Sequence, residues 1–204
     1  MKRSKGFRYY SLKDINPVIR ILVFSDILVV GAAAMLSPIF AIFIKDYIQG
    51  GNEAVAGIAV AIYLISKSVL QIPAAAVIDK IKGEKDDFSM MTLFTLLMSL
   101  VPLLYLVIKT PAQLYGVQLL LGLFTAMTFP SFMAIFTRHI DKTREGTEWG
   151  VYFTLVDLSS AALAAIGGYI AYSIGFPQLI VYVVALSVIG SIVLFPIRRY
   201  MYKR

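Results

Sequence analysis

The chain alternates between long apolar runs and short polar breaks. Six apolar segments can be drawn, at about 17–45, 54–78, 88–108, 111–136, 149–172 and 176–197. Each reaches the roughly 20 residues that a helix needs to cross a bilayer. The breaks read "KDYIQGGNE", "DKIKGEKDD", "KTPAQ", "TRHIDKTREGTE" and "SIGFP" in chain order. Backbone inside lipid must satisfy its own hydrogen bonds, which leaves helices or closed barrels. Barrel strands alternate apolar and polar residues, whereas these runs are continuous. The pattern therefore predicts an all-α polytopic membrane protein with six transmembrane helices. A soluble helical protein would carry polar faces along these segments, and they lack them.

Composition agrees, and charge adds an orientation. Of the 204 residues, 59% are hydrophobic and 15% charged, against about half and about a quarter in soluble domains. Of the 19 Lys and Arg, 16 fall in the N-terminal segment, the 2–3 loop, the 4–5 loop and the C-terminal tail. Lys45 and Lys109 alone stand on the other side. Basic residues concentrate in cytoplasmic loops, so both termini are expected in the cytoplasm, in a multi-pass protein of the plasma (inner) membrane. The first span is too long for a cleaved signal sequence and is expected to stay as an anchor. "YYSLKDINPVIR" before it reads as an amphipathic lead-in along the interface. Topology accounts for the basic termini, so no nucleic-acid partner is expected.

Enzyme chemistry finds little footing. There are no cysteines, and the single histidine, His139, lies in the basic 4–5 loop. No metal-ligand spacing or nucleophile–base pair stands out, so no catalytic site, metal or cofactor is expected.

Three ionisable residues fall inside spans: Asp26, Lys67 and Asp157. A charge near the bilayer centre costs roughly 2.5–3.5 kcal/mol on insertion scales, so such groups face protein or water. At about 1.5 Å per residue, Asp26 lies roughly 14 Å beyond Pro17, Asp157 about as far beyond Glu148, and Lys67 roughly 18 Å from Asp79. One level near the midplane is thus expected for all three, which permits an Asp–Lys–Asp cluster. Tyr63, Lys67 and Gln71 share a helical stripe. Asp157 continues through Ser160, Ala161, Ala164 and Gly168, a small and polar line suited to close approach or a cavity wall. The fourth span offers Gln118, Gly122 and Thr125. A lone Gln or Ser reads as interhelical glue, whereas two acids and a lysine at one depth read as a pathway. Asp26, Lys67, Asp157, Gln118, Tyr63 and Gln71 are therefore the candidate proton, cation or substrate site.

The second span ends "AAAVIDKIKGEKDD". This resembles the 2–3 loop signature of the major facilitator superfamily, Gly-x-x-x-Asp-Arg-x-Gly-Arg-Arg. Asp79 matches the aspartate and Lys80 the basic residue after it. Ala75 stands at the first glycine, Gly83 comes one residue late, and Glu84 and Lys85 replace two arginines. In the fourth span Gln118 stands where the family often has an arginine, four before Gly122. "GGYIAYSIGF" resembles the family's helix-five ending, although of its antiporter pattern only Gly167 and Gly168 remain. "MLSPIF" and "MTFPSF" share Met-x-x-Pro-x-Phe at an offset of 92. That offset carries Asp26 onto Gln118, and Lys67 to within two residues of Asp157.

The resemblance implies one six-helix half, built of inverted repeats at about 17–108 and 111–197. A basic segment, 1–16, and a basic tail, 198–204, flank it. Helices one and four would line a central cavity, two and five would meet the other half, and three and six would face outward. The implied activity is secondary transport of a small solute by alternating access, coupled to protons. Asp26 would be the proton or cation site, Lys67 its counter-ion or an anion-binding group, and Asp79, Lys80 and Gly83 a cytoplasmic gate. A complete short protein would act as a homodimer in the membrane; the other reading is a half whose C-terminal six helices are missing. Lys67 would pair with Asp26 inside one subunit or with Asp157 across two. The alternative function is a non-transporting scaffold or assembly protein whose buried charges are glue.

Overall fold

Helix-start signals stand at the head of two apolar segments. Asn16 precedes Pro17, and its side chain accepts from the Val18 N–H at 2.9 Å. Thr110 precedes Pro111 and forms a capping box with Gln113. Proline at the first helical position gives up an N–H that has no intrahelical partner there.

The computed structural model describes residues 15–80 and 83–201. The basic lead-in over 1–14 and the end of the tail, 202–204, lie outside them. Among the described residues six helices are long and apolar enough to cross a membrane, in order α1 Pro17–Tyr47, α2 Glu53–Lys80, α3 Glu84–Leu106, α4 Pro111–His139, α5 Glu145–Ile174 and α6 Phe176–Arg199. Each matches a segment of the hydropathy pattern. A 3-10 turn at Ser37–Ile39, holding Pro38, interrupts α1, and α3 and α6 end in 3-10 turns that hold Pro102 and Pro196. Several helices outrun their apolar runs. α3 starts at Glu84 and α5 at Glu145, because acids in a first turn complement the helix dipole. Arg138 and His139 extend the end of α4.

Gly83 and Gly175 open α3 and α6 with φ of 153° and 99°. These extended conformations at positive φ are open almost only to glycine. The two positions differ by 92, the offset of the Met-x-x-Pro-x-Phe echo.

Packing follows the same exchange. α1 packs on α5 and α6, α4 packs on α2 and α3, and α3 touches α6. Exchanging one with four, two with five and three with six maps these pairings onto each other. That is consistent with inverted three-helix repeats. Glycines let the seams close. A Cβ at Gly122 would come 2.7 Å from Ser66 Cβ on α2, and one at Gly167 would meet the Met35 backbone on α1. Two apolar clusters fill the interior. Phe43, Tyr105 and Phe176 belong to one; Phe88, Phe136 and Ile197 belong to the other, toward the basic loops. Of the most apolar stretch of α2 and of α5, 11% is buried inside the chain, against 33–44% in the other four. These two helices are the ones the fold leaves uncovered.

Candidate functional site

Asp26 is half-buried on α1, and it has a partner on α5: the Tyr152 hydroxyl donates to its Oδ2 at 2.7 Å. Aromatic rings hold Tyr152 in place. Phe132, Phe136 and Trp149 lie 5.7, 5.3 and 5.6 Å from its ring, the last two edge-on. An oriented O–H therefore meets a carboxylate in the membrane interior. Such a pair can hold a proton at Asp26 or release it with the charge still solvated by the phenol.

Gln118 occupies the corresponding place on α4. It is buried, and its Nε2 donates to the Tyr105 hydroxyl on α3 at 3.1 Å. Both members of the Asp26–Gln118 echo thus hydrogen-bond a tyrosine on another helix.

Lys67 is half-buried at the edge of the α2–α4 seam. Its Nζ stands 5.2 Å from the centroid of the Phe129 ring, a cation–π contact. Beside it, Ser66 donates to the Leu119 carbonyl at 3.0 Å, and the Tyr63 carbonyl faces Gly122. The stripe Tyr63–Lys67–Gln71 therefore runs along α4. A groove of about 950 Å³ opens between the two helices toward the basic loops. Gln71, Asp79, Phe129 and Arg138 line it. Arg138 forms an ion pair with Asp87 in the first turn of α3; the Asp87 side chain is 1% exposed. Asp79 and Lys80 are exposed at the end of α2, and Gly83 sets the backbone at the start of α3.

Asp157 is exposed on α5. The three-way cluster of Asp26, Lys67 and Asp157 that their depth permits does not form within the chain. Among the described residues no carboxylate lies within 4.0 Å of Lys67. The cause is the packing: α2 lies chiefly on α4, whereas α1 and α5 lie on each other. The cation and the two acids therefore belong to different helix groups. Pairing of Lys67 with Asp26 inside one subunit is absent from this structure.

Sequence reasoning overlooked the partners. Tyr152, Tyr105 and Phe129 are aromatics among many, with no spacing that marks them. The Arg138–Asp87 pair did leave a trace: an acid at the head of the third segment and a base at the foot of the fourth, both on the basic side.

The family model described as Major Facilitator Superfamily matches residues 22–202. That span takes in α2 to α6, α1 from Leu22 onward, and every candidate residue. No curated protein matches the chain.

Proposed function

The chain belongs to the Major Facilitator Superfamily, a family of membrane secondary transporters. On that premise we propose that it carries a small solute by alternating access, coupled to protons at Asp26, as a homodimer of six-helix halves. The proposed orientation puts both termini, the 2–3 loop and the 4–5 loop in the cytoplasm of a plasma (inner) membrane, on the strength of the basic residues there.

The observation that carries the reading is the Tyr152–Asp26 hydrogen bond between α1 and α5. Intramembrane carboxylates mark ion and proton pathways, and this one has a single oriented donor rather than a neutralising base. Two other features fit. The exposure of α2 and α5 leaves room for a second half of the same orientation, and the groove that Asp79 and Arg138 line fits a cytoplasmic gate. The test uses proteoliposomes loaded with a pH-sensitive dye and offered a panel of small solutes. The native chain is expected to show solute-evoked changes in luminal pH, and folded Asp26→Asn to lose them. An Asp26→Asn protein with flux and pH dependence intact would refute the role of Asp26.

A non-transporting scaffold has one observation in its favour, since the same hydrogen bond also ties α1 to α5. It requires that the native chain evoke no flux for any solute, with the oligomer intact.

A further inference from the structure

Lys67 and Asp157 form no ion pair among the described residues, and both lie on the two helices that the fold leaves uncovered. Their surroundings say what must cover them. Two grooves flank the α2–α4 seam. One, of about 400 Å³, is walled by Ile62, Ile65, Val69, Leu70, Leu119 and Leu123 and suits acyl chains. The other is apolar over most of its wall but also holds Ser68, Gln71, Asp79 and Arg138, and lipid is a poor solvent for such groups. Phe129, under the Lys67 ammonium, lines this second groove. On α5, the exposed residues Gly150, Thr154, Asp157, Ala161 and Ala165 recur at helical spacing. Their small side chains allow another helix to come close, and the acid stands at the centre.

Depth matches as well. Lys67 precedes the end of α2 at Lys80 by thirteen residues, ~20 Å of helix, and Asp157 follows the start of α5 at Glu145 by twelve, ~18 Å. A two-fold axis along the membrane normal leaves depth unchanged, so Lys67 can meet only an acid at its own level. Asp26 lies on α1, which is packed against α5 and α6 of its own chain, and this leaves Asp157.

In the dimer proposed above, where α2 of one copy meets α5 of the second, we propose that Lys67 pairs with Asp157 of the partner subunit. The interface is isologous, so the pair forms twice. The inference rests on the dimeric reading above and adds its register and its two ionic contacts. Halves that rock about a midplane site keep a midplane pair in both states. The contacts that open and close then lie nearer the helix ends, around Asp79 and Arg138.

The chain has no cysteine, so introduced thiols can be read singly. A disulfide needs Cα atoms within about 7 Å, and a Lys–Asp pair spans more, so a short bis-methanethiosulfonate linker is used. Two differently tagged copies, Lys67→Cys and Asp157→Cys, are co-expressed and linked in membranes. The expected product is a covalent dimer carrying both tags, absent when Ile65→Cys of the apolar groove replaces Lys67→Cys. Subunit counting by photobleaching in liposomes gives a second readout. Lys67→Asp and Asp157→Lys should each lower the dimer fraction, and the two together should restore it. A native dimer that links no better at Lys67→Cys than at Ile65→Cys overturns the pairing and leaves the dimeric transporter standing. A linked dimer without rescue by the charge swap overturns the ionic contact. A strictly monomeric native chain with solute flux overturns the dimer and the pairing together.

Discussion

The hydroxyls of Ser99 on α3 and Ser191 on α6 lie 2.9 Å apart, and 92 positions separate the two residues. The same offset relates Gly83 to Gly175 and the two Met-x-x-Pro-x-Phe stretches. A residue touches its own repeat counterpart only beside the axis that exchanges the repeats, so this contact is consistent with inverted repeats meeting at α3 and α6. Both hydroxyls also lie within hydrogen-bond reach of carbonyls on their own helices, Thr95 at 2.8 Å and Ser187 at 3.0 Å. Each carries one proton, so either hydroxyl can supply the donor across the seam. A double-mutant cycle over Ser99→Ala and Ser191→Ala, read by unfolding in detergent, should give a coupling of about 0.6 kcal/mol, the average for interhelical hydrogen bonds in membranes. A coupling of zero would make the contact incidental.

Tyr152→Phe removes one oxygen and leaves the aromatic packing in place. The Asp26 carboxylate then loses its donor, and hydrogen bonds to charged groups contribute about 1.5–3 kcal/mol. Because Asp26 is half-buried and water can replace part of that bond, the expected loss of stability is ~1–2 kcal/mol. Flux should fall in Tyr152→Phe. Adding Tyr152→Phe to Asp26→Asn should cost little more, since both act on one bond. Additive losses in the double variant would separate the two residues.

Arg138 and Asp87 should respond unequally. The Asp87 side chain is 1% exposed and that of Arg138 is 41% exposed. Arg138→Ala leaves a buried carboxylate without its base, which costs roughly 3–5 kcal/mol in a fully buried pair. The first turn of α3 supplies partial compensation from the helix dipole, so about 2–4 kcal/mol is expected. Asp87→Asn leaves Arg138 free to turn to water and should cost under ~1 kcal/mol. Thermal unfolding of the two variants in one detergent checks the order, and the reverse order would refute the burial argument.

The helices were legible because an apolar run of membrane length has few alternatives once backbone polarity is counted. Their ends were less so: Glu84 and Glu145 begin helices because acids in a first turn complement the helix dipole, which hydropathy does not register. The candidate site was legible in depth alone. Helical rise placed Asp26, Lys67 and Asp157 near one level, but depth is one coordinate of three. Which helix stands beside which depends on packing, set by contacts such as Gly122 on Ser66 and Gly167 on Met35. That is why depth leaves Lys67 open to either acid, when α4, with Phe129, is its neighbour. Tyr152 went unread for a related reason. An aromatic two turns into a membrane helix is common, and only the approach of α5 to α1 makes this one a ligand of a carboxylate.

Two glycines test the packing directly. A methyl group at Gly122 would stand 2.7 Å from both Ser66 Cβ and the Tyr63 carbonyl. One of the atoms met is backbone, so no rotamer change relieves the clash, and α2 must move off α4. Overpacking of this kind costs about 1–3 kcal/mol. It would also strain the Ser66–Leu119 hydrogen bond and shift Phe129 relative to Lys67. At Gly168 the added methyl would meet nothing within 4 Å. There the change to alanine removes a helix-weakening residue and should be neutral or stabilising by up to ~1 kcal/mol. Unfolding of Gly122→Ala and Gly168→Ala side by side reads the difference. A Gly122→Ala protein as stable as the native chain would mean that α2 and α4 do not approach as closely as described.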